Sequence, residues 1–116
     1  MTTQRESKIS RAITTSLRQE GVFCFKVHGG PMMMVGLPDI IACVDGRFVA
    51  FETKVPEKRK NTSVAQDRIH GLIRQAGGVA VVVCSAKEAL GIVHELRLSK
   101  DHAAVRAIIQ EPLDDH

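Results

Sequence analysis

Gly36-Leu37-Pro38-Asp39-Ile40-Ile41-Ala42-Cys43-Val44-Asp45-Gly46-Arg47-Phe48-Val49-Ala50-Phe51-Glu52-Thr53-Lys54 is two apolar runs joined by Asp-Gly. Asp-Gly between β-forming residues signals a two-residue hairpin turn. Val44 then pairs with Arg47, and counting outward sets Asp39 opposite Glu52; a three-residue loop with a bulge would shift this register by one. Directly opposed side chains lie about 4.5–5.5 Å apart, and like charges there repel. Lys54 follows Glu52 by two residues and projects from the same face. The remainder of that face is Ile41, Cys43, Phe48 and Ala50, and the other face holds Ile40, Ala42, Val44, Val49 and Phe51. The hairpin is therefore expected to be buried on both sides, with two carboxylates and one ammonium at one end.

Outward from the hairpin the chain divides without repeats or linkers. Residues 4–20 form an amphipathic helix with Ile9, Ile13 and Leu17 on one side, with Thr3 and Glu6 spaced as a capping box and Gly21 at its end. Val22 to Val27 is a short strand, residues 28–37 a glycine-rich loop, and Pro38 to Val44 and Arg47 to Val55 the two hairpin strands. After a basic loop at 56–61, a helix runs from Ser63 to Ala76 and stops at Gly77-Gly78. Val79 to Cys84 is uninterrupted and apolar, as in a strand covered on both faces. Ser85 and Glu88 form a second capping box before a helix through Leu90, Val93 and Leu96, and residues 101–110 form a last short helix. The order α-β-β-β-α-β-α predicts an α/β fold, a mixed sheet with helices on both faces. One domain over 1–116 is expected, with 99–116 peripheral.

Composition narrows the function. Three cysteines without a CxxC pair exclude a zinc ribbon or disulfide framework, and Cys24 and Cys84 read as small core residues. The histidines show no HxH or HxxxH spacing, so a histidine metal centre is not expected. No apolar run reaches the length of a membrane helix, and the polar start Met1-Thr2-Thr3-Gln4-Arg5-Glu6 is no export signal, so a cytoplasmic protein is expected. Residues 1–75 carry 12 basic and 7 acidic side chains, whereas 76–116 carry 4 and 6. The basic half suits an anionic partner, with nucleic acid foremost.

Buried charges must be paired or bound to metal. Asp39 and Glu52 make a hard oxygen site of the kind Mg²⁺ takes, with waters completing the shell. Lys54 either orients a water and stabilises a charged transition state there or simply bridges two carboxylates at a sheet end. Physical argument alone leaves both open.

These residues resemble a known group. Gly36 to Asp39 followed by Glu52-Thr53-Lys54 is similar to the PD-(D/E)XK nuclease signature. With Glu6 in the first helix, Lys26-Val27-His28-Gly29 and Gln66, it resembles the virus-type replication-repair nucleases (VRR-NUC), over about residues 6–84. The resemblance implies a restriction-endonuclease-like α/β/α fold, Mg²⁺ or Mn²⁺ dependence and hydrolysis of DNA. Stand-alone members resemble phage proteins that act as homodimers on branched DNA, including four-way (Holliday) junctions. It assigns metal to Asp39, Glu52, the Thr53 carbonyl and, through water, Glu6, and catalytic roles to Asp39, Glu52, Lys54 and Gln66.

Each supporting residue has a plainer alternative. Glu6 can cap with Thr3, and Gln66 can be a half-buried polar residue near a helix start. Lys26, His28, Lys58, Arg59 and Lys60 are candidate DNA contacts or ordinary loop residues. Met32, Met33 and Met34 either pack or wedge against bases or a second copy. Rival activities are a flap, nicking or restriction-type nuclease, and a catalytically silent nucleic-acid-binding module.

Overall fold

A computed structural model describes residues 4–98. The elements are α1 (Gln4–Gln19), β1 (Phe23–Lys26), β2 (Ile40–Val44), β3 (Arg47–Thr53), α2 (Val64–Gln75), β4 (Val79–Val83) and α3 (Ala86–Leu98), in the expected order. A 3-10 turn, Pro56–Lys58, interrupts what reads as a plain basic loop. The Thr3 cap and the helix at 101–110 lie outside the described residues.

The sheet runs β1-β2-β3-β4. The first two pairings are antiparallel and β3 with β4 is parallel, so the sheet is mixed. The hairpin turn is the one its sequence requires: Asp45 and Gly46 both have positive φ, 50° and 82°. Two such residues make a type I′ turn, whose twist matches the flanking strands. The register follows, with Val44 opposite Arg47 and Ile40 opposite Phe51.

Alternation then sorts the side chains. Ile40, Ala42, Val44, Val49, Phe51, Val79, Val81 and Val83 join Ile13, Leu17, Val93 and Leu96 in the core beneath α1 and α3. Burying one Leu, Ile, Val or Phe side chain contributes about 1.5–3 kcal/mol, so this layer dominates the stability. The opposite face carries α2, packed mainly over β4. All five β4 residues are buried, as the uninterrupted run predicts.

Burial of the hairpin on both sides is not found. On the α2 face Phe48 is 47% exposed and Cys43 is exposed. The reason is lateral: α2 crosses over β4 and leaves the β1–β2 half of that face open. The second capping box is also only half formed. Ser85 Oγ accepts the Glu88 N–H at 3.1 Å, but the Glu88 carboxylate takes the Cys84 N–H at 2.7 Å. Arg59 holds the same Glu88 oxygen at 2.7 Å and draws it past Ser85.

Open strand edges invite further pairing unless covered. Here arginines cover them. Arg74 donates twice to the Ala80 carbonyl and Arg59 once to that of Val82, along the outer edge of β4. Arg18 donates to the Cys24 carbonyl on β1.

Candidate active site

Proline ends the β2–β3 ladder. Pro38 has no N–H to donate, so backbone pairing cannot continue past Asp39. The Thr53 amide, facing β2, instead donates to Asp39 Oδ2 at 2.7 Å. The Asp39 carbonyl accepts from Val27 N–H, also at 2.7 Å. Asp39 is thus fixed through its main chain by β1 and through its side chain by β3. Within an antiparallel strand a residue's N–H and C=O point to the same neighbour. The Thr53 carbonyl therefore faces the Asp39 side too.

Glu52, one step beyond the Ile40–Phe51 pair, stands opposite Asp39, and its side chain is 3% exposed. Its Oε2 accepts from Gln66 Nε2 at 3.1 Å. Gln66 is held for this. Ser63 caps α2 and accepts the Gln66 N–H, while Gln66 Oε1 accepts the Ser63 N–H. With the amide oxygen engaged by the cap, only Nε2 can turn to Glu52. Gln66 therefore both completes the cap and hydrogen-bonds Glu52.

Behind Glu52 lies His70, 1% exposed, with Nε2 at 3.5 Å from Glu52 Oε1. Burial drives the His70 pKa down to about 4, assisted by Arg74 and Lys54, so the ring is neutral. Burial also pushes the Glu52 carboxyl up to about 9. The Asp39 charge and a hydrogen bond with Asp39 add to this, Glu6 adds a little, and Lys54 opposes it. The pair is therefore no ion pair at neutral pH. One ammonium does not offset the carboxylates gathered here, so Glu52 keeps a proton at neutral pH.

The donor set fits a hard divalent ion. Two carboxylates converge, and buried Glu52 Oε1 has no hydrogen-bond partner among the described residues. No group of three or more His, Cys, Asp or Glu stands ready to hold an ion among those residues. Mg²⁺ needs none, since it is commonly bound through one or two carboxylates with several waters retained.

The other expected residues are placed as follows. Glu6 lies on α1 one turn before Ser10, whose hydroxyl donates to Thr53 Oγ1 at 3.1 Å. Its charge reaches Glu52. Lys26 is half-buried and lines, with Gly29, Gly30, Met33, Gly36 and Asp39, a cavity of about 320 Å³. His28, Lys58 and Lys60 are exposed. Arg59 is committed to Glu88 and the β4 edge, a structural use that its sequence position does not reveal. Met32 and Met34 are 95% and 63% exposed, so packing does not account for them.

The sequence leaves unassigned the place of His70 and the reason for Gly36 within its motif. His70 had a signal in its i+4 spacing from Gln66 on one helix face. Gly36 has φ +89°, and a Cβ there would stand 2.4 Å from the Ala65 carbonyl oxygen. The loop backbone thus lies directly on the first turn of α2, where Gln66 sits.

Over residues 1–112 the chain matches the family described as archaeal Holliday junction resolvase (hjc). A VRR_NUC domain of known structure is 22% identical with a TM-score of 0.60, covering 79% of this chain and 97% of that one, a likeness of fold. The Hjc of Archaeoglobus fulgidus, described as a Holliday junction resolvase from an archaeal hyperthermophile, is 17% identical with a TM-score of 0.48, covering 68% and 67%. No curated protein matches the chain. The PD-(D/E)XK nuclease character expected from the motifs holds, with the VRR-NUC likeness carried by the fold, and the chain belongs to the archaeal Holliday junction resolvase family.

Proposed function

We propose that this protein is a Mg²⁺- or Mn²⁺-dependent endonuclease that hydrolyses phosphodiester bonds in four-way DNA junctions as a homodimer. The observation that carries this reading is Glu52: buried and with one oxygen short of a hydrogen-bond partner, beside Asp39 and Lys54.

Asp39 and Glu52 would hold the ion, with the Thr53 carbonyl, and Glu6 through water. When bound, it would polarise the scissile phosphate and lower the pKa of a water. Gln66 fixes the rotation of the Glu52 carboxylate. Lys54 projects from the same strand face and donates to the attacking water or to the oxygens on which charge accumulates. Lys26 approaches the phosphate from the cavity beside Asp39, and His28, exposed on the adjoining loop, reaches it from outside that cavity. Lys58 and Lys60 contact flanking phosphates, to which basic side chains bind without regard to sequence. Arg59 contributes charge to that loop while anchored to Glu88. A DNA substrate suits a cytoplasmic protein, and no helix among the described residues is long and apolar enough to cross a membrane.

The open sheet face supports the homodimer. Phe23, Cys43 and Phe48 are cross-strand neighbours, and so are Phe25, Ile41 and Ala50. Phe23 is 70% exposed and Phe25 45%. The patch continues into a groove of about 400 Å³ lined by Met34, Leu37, Ile41, Phe48, Leu72 and Ile73. An apolar patch of this kind marks an interaction surface. A twofold dimer supplies two sites matched to the symmetry of a junction.

A panel of linear, nicked, flapped and four-way DNA, with and without Mg²⁺, tests the reading. Paired, Mg²⁺-dependent cuts in the four-way substrate are expected. Cleavage confined to flaps or nicks would replace this activity with another of the same chemistry. Binding with no cleavage of any substrate would leave a silent nucleic-acid-binding module.

A further inference from the structure

We propose that His70 is a positioning residue for the metal site: its Nε2–H holds Glu52 Oε1 while Gln66 holds Oε2, so that one face of α2 grips both oxygens of the carboxylate. The inference rests on the nuclease reading of Asp39 and Glu52.

Unsatisfied polarity is concentrated at this contact. Among the described residues, the buried side-chain atoms without a hydrogen-bond partner are Glu52 Oε1 and the two ring nitrogens of His70. Leaving a buried donor or acceptor unpaired costs about 1–3 kcal/mol, whereas an apolar side chain of similar shape avoids that cost. The same helix supplies Ile69 and Ile73 at neighbouring positions. A histidine here is therefore unfavourable for packing alone.

The geometry supplies a use. His70 follows Gln66 by four residues, one turn further along the same face. Gln66 Nε2 reaches Oε2 at 3.1 Å, and His70 Nε2 stands 3.5 Å from Oε1. That gap is slightly longer than a hydrogen bond. Hydrogen bonds of catalytic groups commonly tighten only in the loaded state. With an ion in place Glu52 is a carboxylate, and its buried oxygen then demands a donor. The nitrogen that stands beside Oε1 is His70 Nε2. Ligating carboxylates held by such outer hydrogen bonds lose about 10–100-fold in metal affinity when the donor is removed.

Two measurements on the full chain test this. In protein labelled with ¹⁵N-histidine, long-range proton–nitrogen correlation with Mg²⁺ present should show His70 protonated on Nε2 and bare on Nδ1. The opposite tautomer would overturn the proposal and needs no variant. In parallel, Mn²⁺ binding is measured by calorimetry and by the paramagnetic resonance signal of free Mn²⁺. His70→Leu should bind about 10–100-fold more weakly, with a melting temperature in chelator equal to or above wild type. His70→Gln, which restores a donor near Nε2, should recover affinity to within a few fold. A His70→Leu protein that binds like wild type, or a folded His70→Gln as weak as His70→Leu, would overturn the role of His70 alone. Wild type that takes up no Mn²⁺ would overturn the metal site itself and this role with it.

Discussion

At the residue scale the chemistry turns on one carboxyl. Glu52 is pushed up to about 9 in the folded chain, against 4.5 when unfolded. Between those values the native state keeps a proton that the unfolded state has lost, so stability falls as pH rises. His70 acts in the opposite direction. Its native pKa is about 4 against 6.5, so between those values the unfolded state binds the extra proton and stability rises with pH. The two contributions offset each other from 4.5 to 6.5 and leave a net decline from 6.5 to about 9. Denaturant melts in chelator should show this decline, approaching roughly 1 kcal/mol per pH unit. Glu52→Gln should flatten it. Saturating Mg²⁺ should also abolish it, because the ion takes the place of the proton. A wild type whose stability rises from pH 6.5 to 9 in chelator would show that Glu52 is not held protonated.

At the element scale the first turn of α2 sets the site. Ser63 caps it, Gln66 reaches from it to Glu52, and Gly36 lies against it. Ser63→Ala should cost about 1 kcal/mol of stability in urea melts and weaken Mn²⁺ binding, because Gln66 loses its fixed orientation. Gly36→Ala should cost more, at least about 2 kcal/mol, since it adds left-handed strain to a contact with backbone that cannot yield. Unchanged urea midpoints in both variants would refute the coupling between loop and helix. These elements also show what the sequence makes legible. A two-residue turn whose residues accept positive φ dictates register, and register alone opposes Asp39 to Glu52. The capping box of α2 is hard to read in the sequence because one end of the Gln66 amide serves the cap and the other reaches Glu52. His70 reads as an ordinary member of an amphipathic helix, since its burial against Glu52 depends on which strand α2 crosses. Arg59 looks like part of a basic loop because the β4 edge it covers is fixed only by parallel pairing with β3. Alternation in the hairpin predicts two apolar faces but not how far one helix can cover the second.

At the scale of the whole molecule the two faces of the sheet differ. One is sealed by α1 and α3, and the other is closed by α2 over β4 alone and open over β1 and β2. Phe48 lies near the middle of the open part and contributes little to the sealed core. Phe48→Glu should therefore leave the melting temperature nearly unchanged at low concentration and convert a dimer to a monomer in sedimentation velocity. A wild type that sediments as a monomer, both free and on junction DNA, would remove the interface. The central claim is that Asp39, Glu52 and Lys54 form a nuclease site for branched DNA. Single-turnover cleavage of a labelled four-way junction in Mg²⁺, by wild type and Lys54→Ala at matched binding saturation, tests it most directly. Symmetric cuts by the wild type and a loss of at least about 100-fold in rate for Lys54→Ala are expected, with junction binding and melting temperature retained. Cleavage by Lys54→Ala at the wild-type rate, or no cleavage by a wild type that binds the junction, would contradict it.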